Sequence, residues 1–352
     1  MATATGVYNT TYRRDLGLRH TKAEYARLAL LGVFAVVLPF RLDTYWLSYV
    51  NLILLAGIAA VGLMILTGYT GLISLATAGF LGVGAYGTAN ITNRLHWPMP
   101  LGVLGGTVIA AAIGAVFGLP ALRVKGLYLA ISTFAAQAIL NNRFKDWPWL
   151  TQGHFSILAN QPKIGGHQIH SDFEWYWLLL VITALVVWAG VNLFRTGFGR
   201  ALIAIRDQDI AAEVIGVPVG RYKVLAFSIA CGLAGFSGAL GAHYRTVVTW
   251  ERYDFDTSFL FVAMIIVGGL GSVSGAIYGA AFMTWVPAYI TRVGQGLQQG
   301  SSGTPFIIRE LPAIQLALFG VVIVAFLLYE PRGLARLWQR AKDYFRIWPF
   351  RY

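Results

Sequence analysis

Apolar stretches close to twenty residues long recur along most of this 352-residue sequence. A soluble core does not need such stretches, whereas a helix that crosses a bilayer requires about 20 predominantly apolar residues. The composition agrees, because 57% of the residues are hydrophobic and only 12% are charged. We therefore predict an all-α integral membrane protein, a polytopic helical bundle of about ten transmembrane segments. The predicted spans cover residues 28–40, 46–66, 72–91, 100–121, 126–140, 175–194, 224–243, 258–270, 276–291 and 312–329.

The distribution of charge predicts the orientation of these spans. An even number of crossings puts both termini on one side, and 18 of the 27 Lys and Arg residues then share that side. Acidic residues show no such bias, since 7 of 15 lie there. A bias of cations alone is typical of cytoplasmic segments, so the basic charge does not indicate nucleic-acid binding. We expect a cytoplasmic N-terminal segment 1–27, a transmembrane domain 28–329 and a basic cytoplasmic tail 330–352.

Residues 195–223 interrupt the apolar pattern with a basic loop that is predicted to be cytoplasmic. Asp207 or Asp209 can cap the start of a helix there, and Gly216 followed by Pro218 can end it. This helix of barely two turns is too short to cross a bilayer. Its apolar residues fall four apart and give it one apolar face for a partner protein. The pairs are Ile210 with Val214 and Ala211 with Ile215.

Small residues at regular spacing predict where the spans pack. Glycine recurs every third residue in the seventh span and every fourth residue around the start of the ninth. Such stripes let helix backbones approach closely in lipid, and plain packing is favoured over a glycine-lined solute path. The packing residues predicted in this way are Gly232, Gly235, Gly238, Gly271, Gly275 and Gly279. The run 268–272 is also predicted to contain a turn between the eighth and ninth spans.

The segment 68–86 is rich in glycine, which can either break the third span or pack it closely. Broken helices expose backbone groups to a cavity in many transporters, and the sequence leaves both interpretations open. Ser74, Thr77 and Gly79 are the candidate residues for a solute path here. Either hydroxyl can instead bond back to its own helix.

Several kinds of chemistry lack support in the sequence. It contains no G-x-x-x-x-G-K-[ST] motif, so the chain should not bind ATP through a P-loop. His167 and His170 lie three apart, but no acid–histidine pattern completes a metal site. The spans hold no clear acidic pair, which weakens a proton-coupled carrier. Cys231 stands alone in an apolar setting and is expected to be a packing residue. We expect no catalytic residues.

Motifs in four parts of the chain together resemble the permeases of branched-chain amino-acid (LIV-type) ABC importers. The central loop carries the most specific ones, Gly199-Arg200-Ala201, Ile205-Arg206-Asp207, Ala211-Ala212-Glu213, Gly216-Val217 and Arg221-Tyr222-Lys223. The segments 68–86, 118–130 and 268–279 resemble the same family and follow its order. The likeness is to the second of the two paired permease types and covers about residues 46–330.

In that family the central loop carries a coupling helix that docks into a groove of a cytoplasmic ATPase. The resemblance carries this role to Arg206, Asp207, Ala211, Ala212, Glu213 and Gly216. An amphipathic helix suits the role, because it offers an apolar face to a groove. The alternative is an interfacial helix that lies on lipid.

The resemblance further implies a permease subunit, not an enzyme, in a bacterial inner membrane with both termini cytoplasmic. The expected partners are a second permease subunit, ATPase subunits that bind ATP and Mg²⁺, and a periplasmic solute-binding protein, while this chain holds no cofactor. The expected solute is a branched-chain or related amino acid. Met64 and Ala76-Thr77 depart from the family pattern near the expected solute path, so urea, amides and aromatic acids stay alternatives. Rival classes are an ion-coupled secondary transporter, an intramembrane enzyme and a structural subunit.

Overall fold

A computed structural model describes residues 22–124, 126–151, 156–160, 163–164, 167–300, 317, 320–321, 324–325, 328 and 333–347. The chain divides into two compact units. The first contains α1 (Lys22–Arg41) and the start of α2 (Thr44–Leu63). The second begins at Tyr49, and the sites described below all lie within it.

The second unit is built mainly of helices. A π-helical turn, Met64–Tyr69, continues α2, and α3 (Thr77–Arg94) follows after a non-helical stretch. One short 3₁₀ turn lies at Leu119–Leu122 and another at Trp250–Tyr253. The remaining helices are α4 (Met99–Gly118), α5 (Leu127–Asp146), α6 (Pro148–Thr151), α7 (Asp172–Leu193), α8 (Gly197–Asp207), α9 (Asp209–Val214), α10 (Val219–Arg245), α11 (Phe255–Gly268), α12 (Val273–Gly300) and α13 (Gly333–Ile347).

Among the described residues, two short antiparallel ribbons lie between the helices. β1 (Ser156–Leu158) pairs with β4 (Val247–Thr249), with Ile157 opposite Val248. β2 (Lys163–Ile164) pairs with β3 (His167–Gln168). The β1–β4 pair therefore joins the segment before α7 to the end of α10, two regions that both lie outside the predicted cytoplasmic segments.

The helical character of the predicted membrane bundle is confirmed. Among the described residues, five helical stretches are long and apolar enough to cross a membrane: Thr44–Tyr69, Met99–Leu122, Asp172–Leu193, Val219–Arg245 and Val273–Arg292. Helices also lie at the predicted spans 72–91, 126–140 and 258–270, but α3, α5 and α11 are shorter or less apolar than the five. The predicted span 312–329 falls mostly outside the described residues. The count of ten spans stays a prediction.

Glycines on α10 lie where this helix crosses α3 and α4. A Cβ atom on Gly238 would overlap the backbone carbonyl of Leu81 in α3. One on Gly235 would overlap Ala110 in α4, and one on Gly232 would lie 3.2 Å from the Cβ of Ala111. Close approach of backbones thus requires small residues at this crossing, and packing accounts for the glycine stripe.

Two of the predicted packing glycines on α12 have the same role against α11. A Cβ on Gly279 would overlap the carbonyl of Met264, and one on Gly275 would lie 2.7 Å from the carbonyl oxygen of Gly268. Gly271 differs, because it lies in the turn between the two helices with φ at +87°. That backbone conformation favours glycine, so Gly271 lies in the turn predicted between these two spans and does not pack as Gly275 and Gly279 do.

Candidate functional site

The central loop folds into two consecutive helices, α8 and α9, of which the sequence analysis predicted only the second. Thr196 caps α8, since its hydroxyl accepts a hydrogen bond from the Gly199 amide at 3.4 Å. Leu202 and Ile205 are buried beneath the helix, whereas Arg200 is exposed. The signals for α8 were present in the capping threonine and in the three-residue spacing of its buried side chains. We call residues 195–223 the coupling segment.

Helix α9 presents an exposed apolar face. Ile210, Val214 and Ile215 are 66%, 82% and 75% exposed, respectively. Ala212 is only 2% exposed, so it packs inward and does not belong to the face that a partner could touch. The remaining predicted coupling residues on or beside this helix, Asp207, Ala211, Glu213 and Gly216, are exposed.

The start of α9 differs from the predicted cap. Asp207 is the last residue of α8, and Asp209 is the first residue of α9. Gln208 stands at the N-cap position of α9, but its side chain makes no capping hydrogen bond. The end agrees with the prediction, because Gly216 has a φ of +90°. The amide of Gly216 donates to the carbonyl of Glu213 and that of Val217 to the carbonyl of Ala212, both at 3.0 Å. This pattern is a Schellman motif, which requires a left-handed residue after the helix.

An ion pair ties α9 to the following transmembrane helix. The Lys223 ammonium lies 3.5 Å from a carboxylate oxygen of Asp209, and Lys223 is buried. Asp209 lies in the first turn of α9, where a carboxylate also interacts favourably with the helix dipole. The short helix is thereby held at its start as well as at its glycine end.

Arg206 connects the coupling segment to the membrane helices. Its Nη1 donates a hydrogen bond to the Gly68 carbonyl at 2.7 Å, at the end of the π-helical turn. A Cβ on Gly271 would lie 3.4 Å from the same nitrogen, and one on Gly71 would lie 3.3 Å from the Cγ of Arg206. Arg206, predicted to contact an ATPase, thus bonds within this chain beside two glycine turns, and its side chain is still exposed.

The glycine-rich segment contains a real helix break. Residues 71–76 are not helical, and Gly71 has a φ of +70°. Ser74 and Thr77 line the same small cavity, of about 10 Å³, together with Cys231. A cavity of this size holds about one water molecule, so this conformation has no room for an amino acid there. Gly79 is not among the lining residues.

Gly79 instead contacts a row of buried polar side chains on α5 that the sequence analysis missed. Thr133, Gln137 and Asn141 recur every fourth residue, so they share one face of the helix. We call these three residues the polar stripe. All three are buried, and Gln137 is 0% exposed. Their four-residue spacing in a predicted span was the available signal.

Hydrogen bonds from the polar stripe hold the first turn of α3. The Thr133 hydroxyl accepts from the Leu75 amide at 3.0 Å, and Gln137 Oε1 accepts from the Gly79 amide at 2.6 Å. Ser258 on α11 accepts from the Ala78 amide at 3.0 Å. Backbone groups freed by the helix break thus find partners on neighbouring helices, as lipid requires.

The stripe also holds the beginning of α11. Gln137 Nε2 donates to the Tyr253 carbonyl at 2.7 Å, and the Ser258 hydroxyl donates to Gln137 Oε1 at 3.2 Å. Asn141 Nδ2 donates to Asp254 Oδ1 at 2.7 Å, and Asp254 caps α11 by accepting from the Phe255 amide at 2.8 Å. Two helix starts, those of α3 and α11, therefore meet on one face of α5.

Comparison with known proteins identifies the family. The family model described as branched-chain amino acid transport system, permease component, matches residues 45–327. The chain belongs to this family. The family predicted from the motifs is confirmed, and the chain is a permease subunit of the ABC importer type, a transporter component and a multi-pass inner-membrane protein.

Individual relatives agree with this assignment. The high-affinity branched-chain amino acid transport system permease protein LivM of Escherichia coli (strain K12) is 26% identical over 336 residues, which cover 87% of this chain and 74% of the relative. A probable LivM of Methanocaldococcus jannaschii is 24% identical over 236 residues, which cover 66% and 67%. The fructose import permease protein FruG of Bifidobacterium longum is 30% identical over 188 residues, which cover 49% and 55%. No solved structure matches the chain.

Proposed function

We propose that this permease subunit imports a branched-chain or related amino acid, and that the coupling segment transmits the movement of ATPase subunits to the transmembrane helices. The observation that carries the coupling proposal is the position of α9, whose apolar face points away from the chain while Arg206 anchors the segment to two glycine turns. The amino-acid proposal is supported by the LivM relatives, which match most of this chain.

The docking surface consists of the exposed face of α9. Ile210, Val214 and Ile215 supply apolar contact, and Glu213 supplies a carboxylate at the edge. Full burial of one such apolar side chain stabilises a complex by about 1.5–3 kcal/mol, which makes this face an effective attachment for a groove. Ala212 supports the surface from beneath, where its small side chain lets α9 lie close to the chain.

Residues 68–76 form the route by which movement reaches the interior. Arg206 holds the carbonyl of Gly68 at one end, and Thr133 of the polar stripe holds the amide of Leu75 near the other. A displacement of the coupling segment therefore pulls on the break that separates α2 from α3. Closure of an ATPase pair would rearrange these helices and open the solute path to each side in turn.

The assembly comprises more than this chain. We propose a second permease subunit, two ATPase subunits that bind ATP and Mg²⁺, and an external solute-binding protein, with no cofactor in this chain. The proposed layout places segment 1–27, the coupling segment and tail 330–352 in the cytoplasm, around a transmembrane domain 28–329 of about ten spans. Ser74 and Thr77 would then lie beside the solute path at the helix break.

Affinity purification from native membranes in mild detergent tests the assembly. We expect a stoichiometric P-loop ATPase to purify with the chain, and ATP hydrolysis to follow the complex. A chain that purifies without an ATPase would contradict the coupling proposal and would favour an α9 that lies on lipid.

Uptake into cells that carry or lack this chain tests the solute. Labelled leucine, urea, a short amide, an aromatic acid and fructose would be compared at equal concentration. We expect uptake of leucine to depend on the chain. Chain-dependent uptake of another member of this set, with none of leucine, would contradict the amino-acid proposal and leave the coupling proposal standing.

A further inference from the structure

The basic tail contains an amphipathic helix that the proposed function does not use. The match to the family model ends at residue 327, and α13 (Gly333–Ile347) lies beyond it. Apolar residues recur three or four positions apart along α13, so they share one face of the helix. The residues of this apolar face are Leu334, Leu337, Trp338, Ala341 and Phe345.

The charges of α13 are mostly positive and flank the apolar face. The helix contains four cations and one acid, namely Arg336, Arg340, Lys342, Arg346 and Asp343. Their spacing puts Arg340 and Lys342 at the two margins of the apolar face and Asp343 opposite its centre. Long cationic side chains bury their stems along apolar surface and keep their charges in water. This arrangement is typical of helices that lie in the interface of a membrane.

The first turn of α13 is attached to the turn between α11 and α12. Gly333 has a φ of +72°, and a Cβ there would lie 2.5 Å from the Cα of Gly269. Leu334 packs against the core of the second unit. The same α11–α12 turn contains Gly271, which lies beside the guanidinium of Arg206. Helix α13 therefore begins on the side of the chain where the coupling segment lies, at the end of α11 and the start of α12.

The second turn of α13 has apolar side chains that the described part of the chain does not cover. Leu337 is 41% exposed and Trp338 is 62% exposed. Gln339, on the polar side of the helix, is exposed as well. Tryptophan is enriched at membrane–water interfaces, where its ring has both apolar and polar surroundings. The exposed apolar pair thus suits the boundary between lipid headgroups and acyl chains.

Charge distinguishes α13 from the other helix with an exposed apolar face. Helix α9 carries Asp209 and Glu213 and contains no Lys or Arg, whereas α13 has three more cations than acids. The cytoplasmic leaflet is negatively charged, so it attracts basic segments near its surface and repels acidic ones. An anionic lipid surface therefore complements α13 and does not complement α9.

We propose that α13 binds the anionic inner leaflet of the membrane. Leu337 and Trp338 enter the boundary of the acyl chains, and the cations beside them contact lipid phosphates. The attachment through Gly333 then anchors the α11–α12 turn, next to Arg206, at the membrane surface. This inference rests on the part of the proposed function that places tail 330–352 in the cytoplasm.

Fluorescence quenching in nanodiscs of equal phosphatidylglycerol and phosphatidylcholine tests the contact with lipid. Cys231, the only cysteine of the chain, is replaced by alanine, and a fluorophore is attached to Trp338→Cys in the full-length chain. Gln339→Cys is the matched control, because it is the next residue and is exposed on the polar side. We expect brominated lipid to quench the label at position 338 and aqueous iodide to quench the label at position 339. Quenching of the label at position 338 by iodide alone would overturn the proposal.

The identity of the bound lipid is tested by moving the bromine from one lipid to the other in the same mixture. We expect brominated phosphatidylglycerol to quench the label at position 338 about twofold more than brominated phosphatidylcholine, because the cations gather anionic lipid. Arg336→Gln with Arg340→Gln should reduce this preference, whereas Arg336→Lys with Arg340→Lys should keep it. Equal quenching by the two lipids in the chain with its native cations would overturn the assignment to anionic lipid.

The ATPase is the other surface that could cover α13. The quenching measurements are therefore repeated on the complex with its ATPase subunits bound. We expect brominated lipid to quench the label at position 338 as before. Protection of this label from both lipid and iodide, only when the ATPase is bound, would assign the apolar face to the ATPase and overturn the proposal.

A labelling experiment separates a failure of this proposal from a failure of the proposed layout. A membrane-impermeant maleimide is added to spheroplasts and to inside-out vesicles that contain the Gln339→Cys chain. We expect labelling in inside-out vesicles alone. Labelling in spheroplasts would contradict the cytoplasmic tail itself and, with it, the inner leaflet as the binding surface. Cytoplasmic labelling together with iodide quenching at position 338 would overturn the lipid contact and leave the proposed layout standing.

Discussion

The coupling segment and the polar stripe are two functional regions of opposite construction. On α9 the important side chains are apolar and exposed, and the helix is held in place by local features such as the Gly216 turn. On α5 the important side chains are polar and buried, and each bonds to a distant part of the chain. The contrast indicates that the α9 face serves as a contact surface for another protein. The polar stripe instead fixes the first turns of two helices inside the bundle.

The two regions are joined by a short piece of backbone. Arg206 bonds to Gly68 and Thr133 bonds to Leu75, so the non-helical break lies between an external surface and an internal network. The two regions should therefore respond differently to substitution. Changes on α9 should remove assembly without unfolding the chain, whereas changes in the stripe should destabilise the chain itself.

The largest effect on assembly is expected from Ile210→Asp combined with Val214→Asp. Two charges would replace the apolar face. Because both apolar side chains would be buried in the complex, their loss should weaken binding of the ATPase by about 3 kcal/mol or more. Co-purification of the ATPase measures this loss, and the melting temperature of the chain should not change. Ile210→Leu with Val214→Ile keeps the face apolar and is the control. Retention of the ATPase by the aspartate variant would exclude α9 as the docking surface.

An effect of a different kind, on the stability of the chain and not on assembly, is expected from Gln137→Leu. The change leaves the Gly79 amide, the Ser258 hydroxyl and the Tyr253 carbonyl without their partner, and each unsatisfied buried group costs about 1–3 kcal/mol. Thermal unfolding in detergent should show a clear loss of stability. Thr107→Val removes only a bond to the Val103 carbonyl within one helix and serves as control. Equal melting temperatures for the two variants would show that the polar stripe does not stabilise the chain.

Arg206→Gln tests the connection between the regions. It removes a hydrogen bond from a charged group, worth about 1.5–3 kcal/mol, while leaving the α9 face intact. We expect the ATPase to stay bound and the amount of leucine carried per ATP hydrolysed to fall. Arg200→Gln is the control, because Arg200 bonds only to the nearby Arg195 carbonyl in the described contacts. An unchanged ratio in Arg206→Gln would show that movement reaches the helices by another route.

The smallest effect is expected from Gly216→Ala. The added Cβ meets open space, but a φ of +90° strains any other residue by about 1–2 kcal/mol. The end of α9 should loosen, and titration with the purified ATPase should show affinity reduced several-fold. Gly197→Ala, at a glycine that also faces open space but has no positive φ, should bind normally. Equal affinity for both variants would show that the Gly216 turn does not matter for docking.

The sequence predicted the features that depend on neighbouring residues. The location of α9, its glycine end and the apolar pairs around Ile210 follow from local spacing and were right. Helix α8 was missed, since a basic loop between spans was read as a single short helix. The inward position of Ala212 could not be predicted, because it depends on how α9 rests on the rest of the chain.

The polar stripe shows why the internal site was harder to predict. The residues that surround Gln137 come from positions 79, 253 and 258, and no local pattern brings them together. Ser74 and Thr77 are neighbours in sequence and line one small cavity, while their place on a solute path stays a prediction. Gly271 was predicted both as a packing residue, from its spacing to Gly275, and within a turn between two spans, and its positive φ agrees with the turn.

The most direct test of coupled transport is the accumulation of labelled leucine in proteoliposomes that contain the complete complex. Our account predicts accumulation only when ATP is present on the ATPase side and loaded binding protein on the other, with loss of accumulation in the Ile210→Asp, Val214→Asp variant. Leucine accumulation by the purified chain alone, under an ion gradient and without ATP, would contradict it and assign the chain to the secondary carriers.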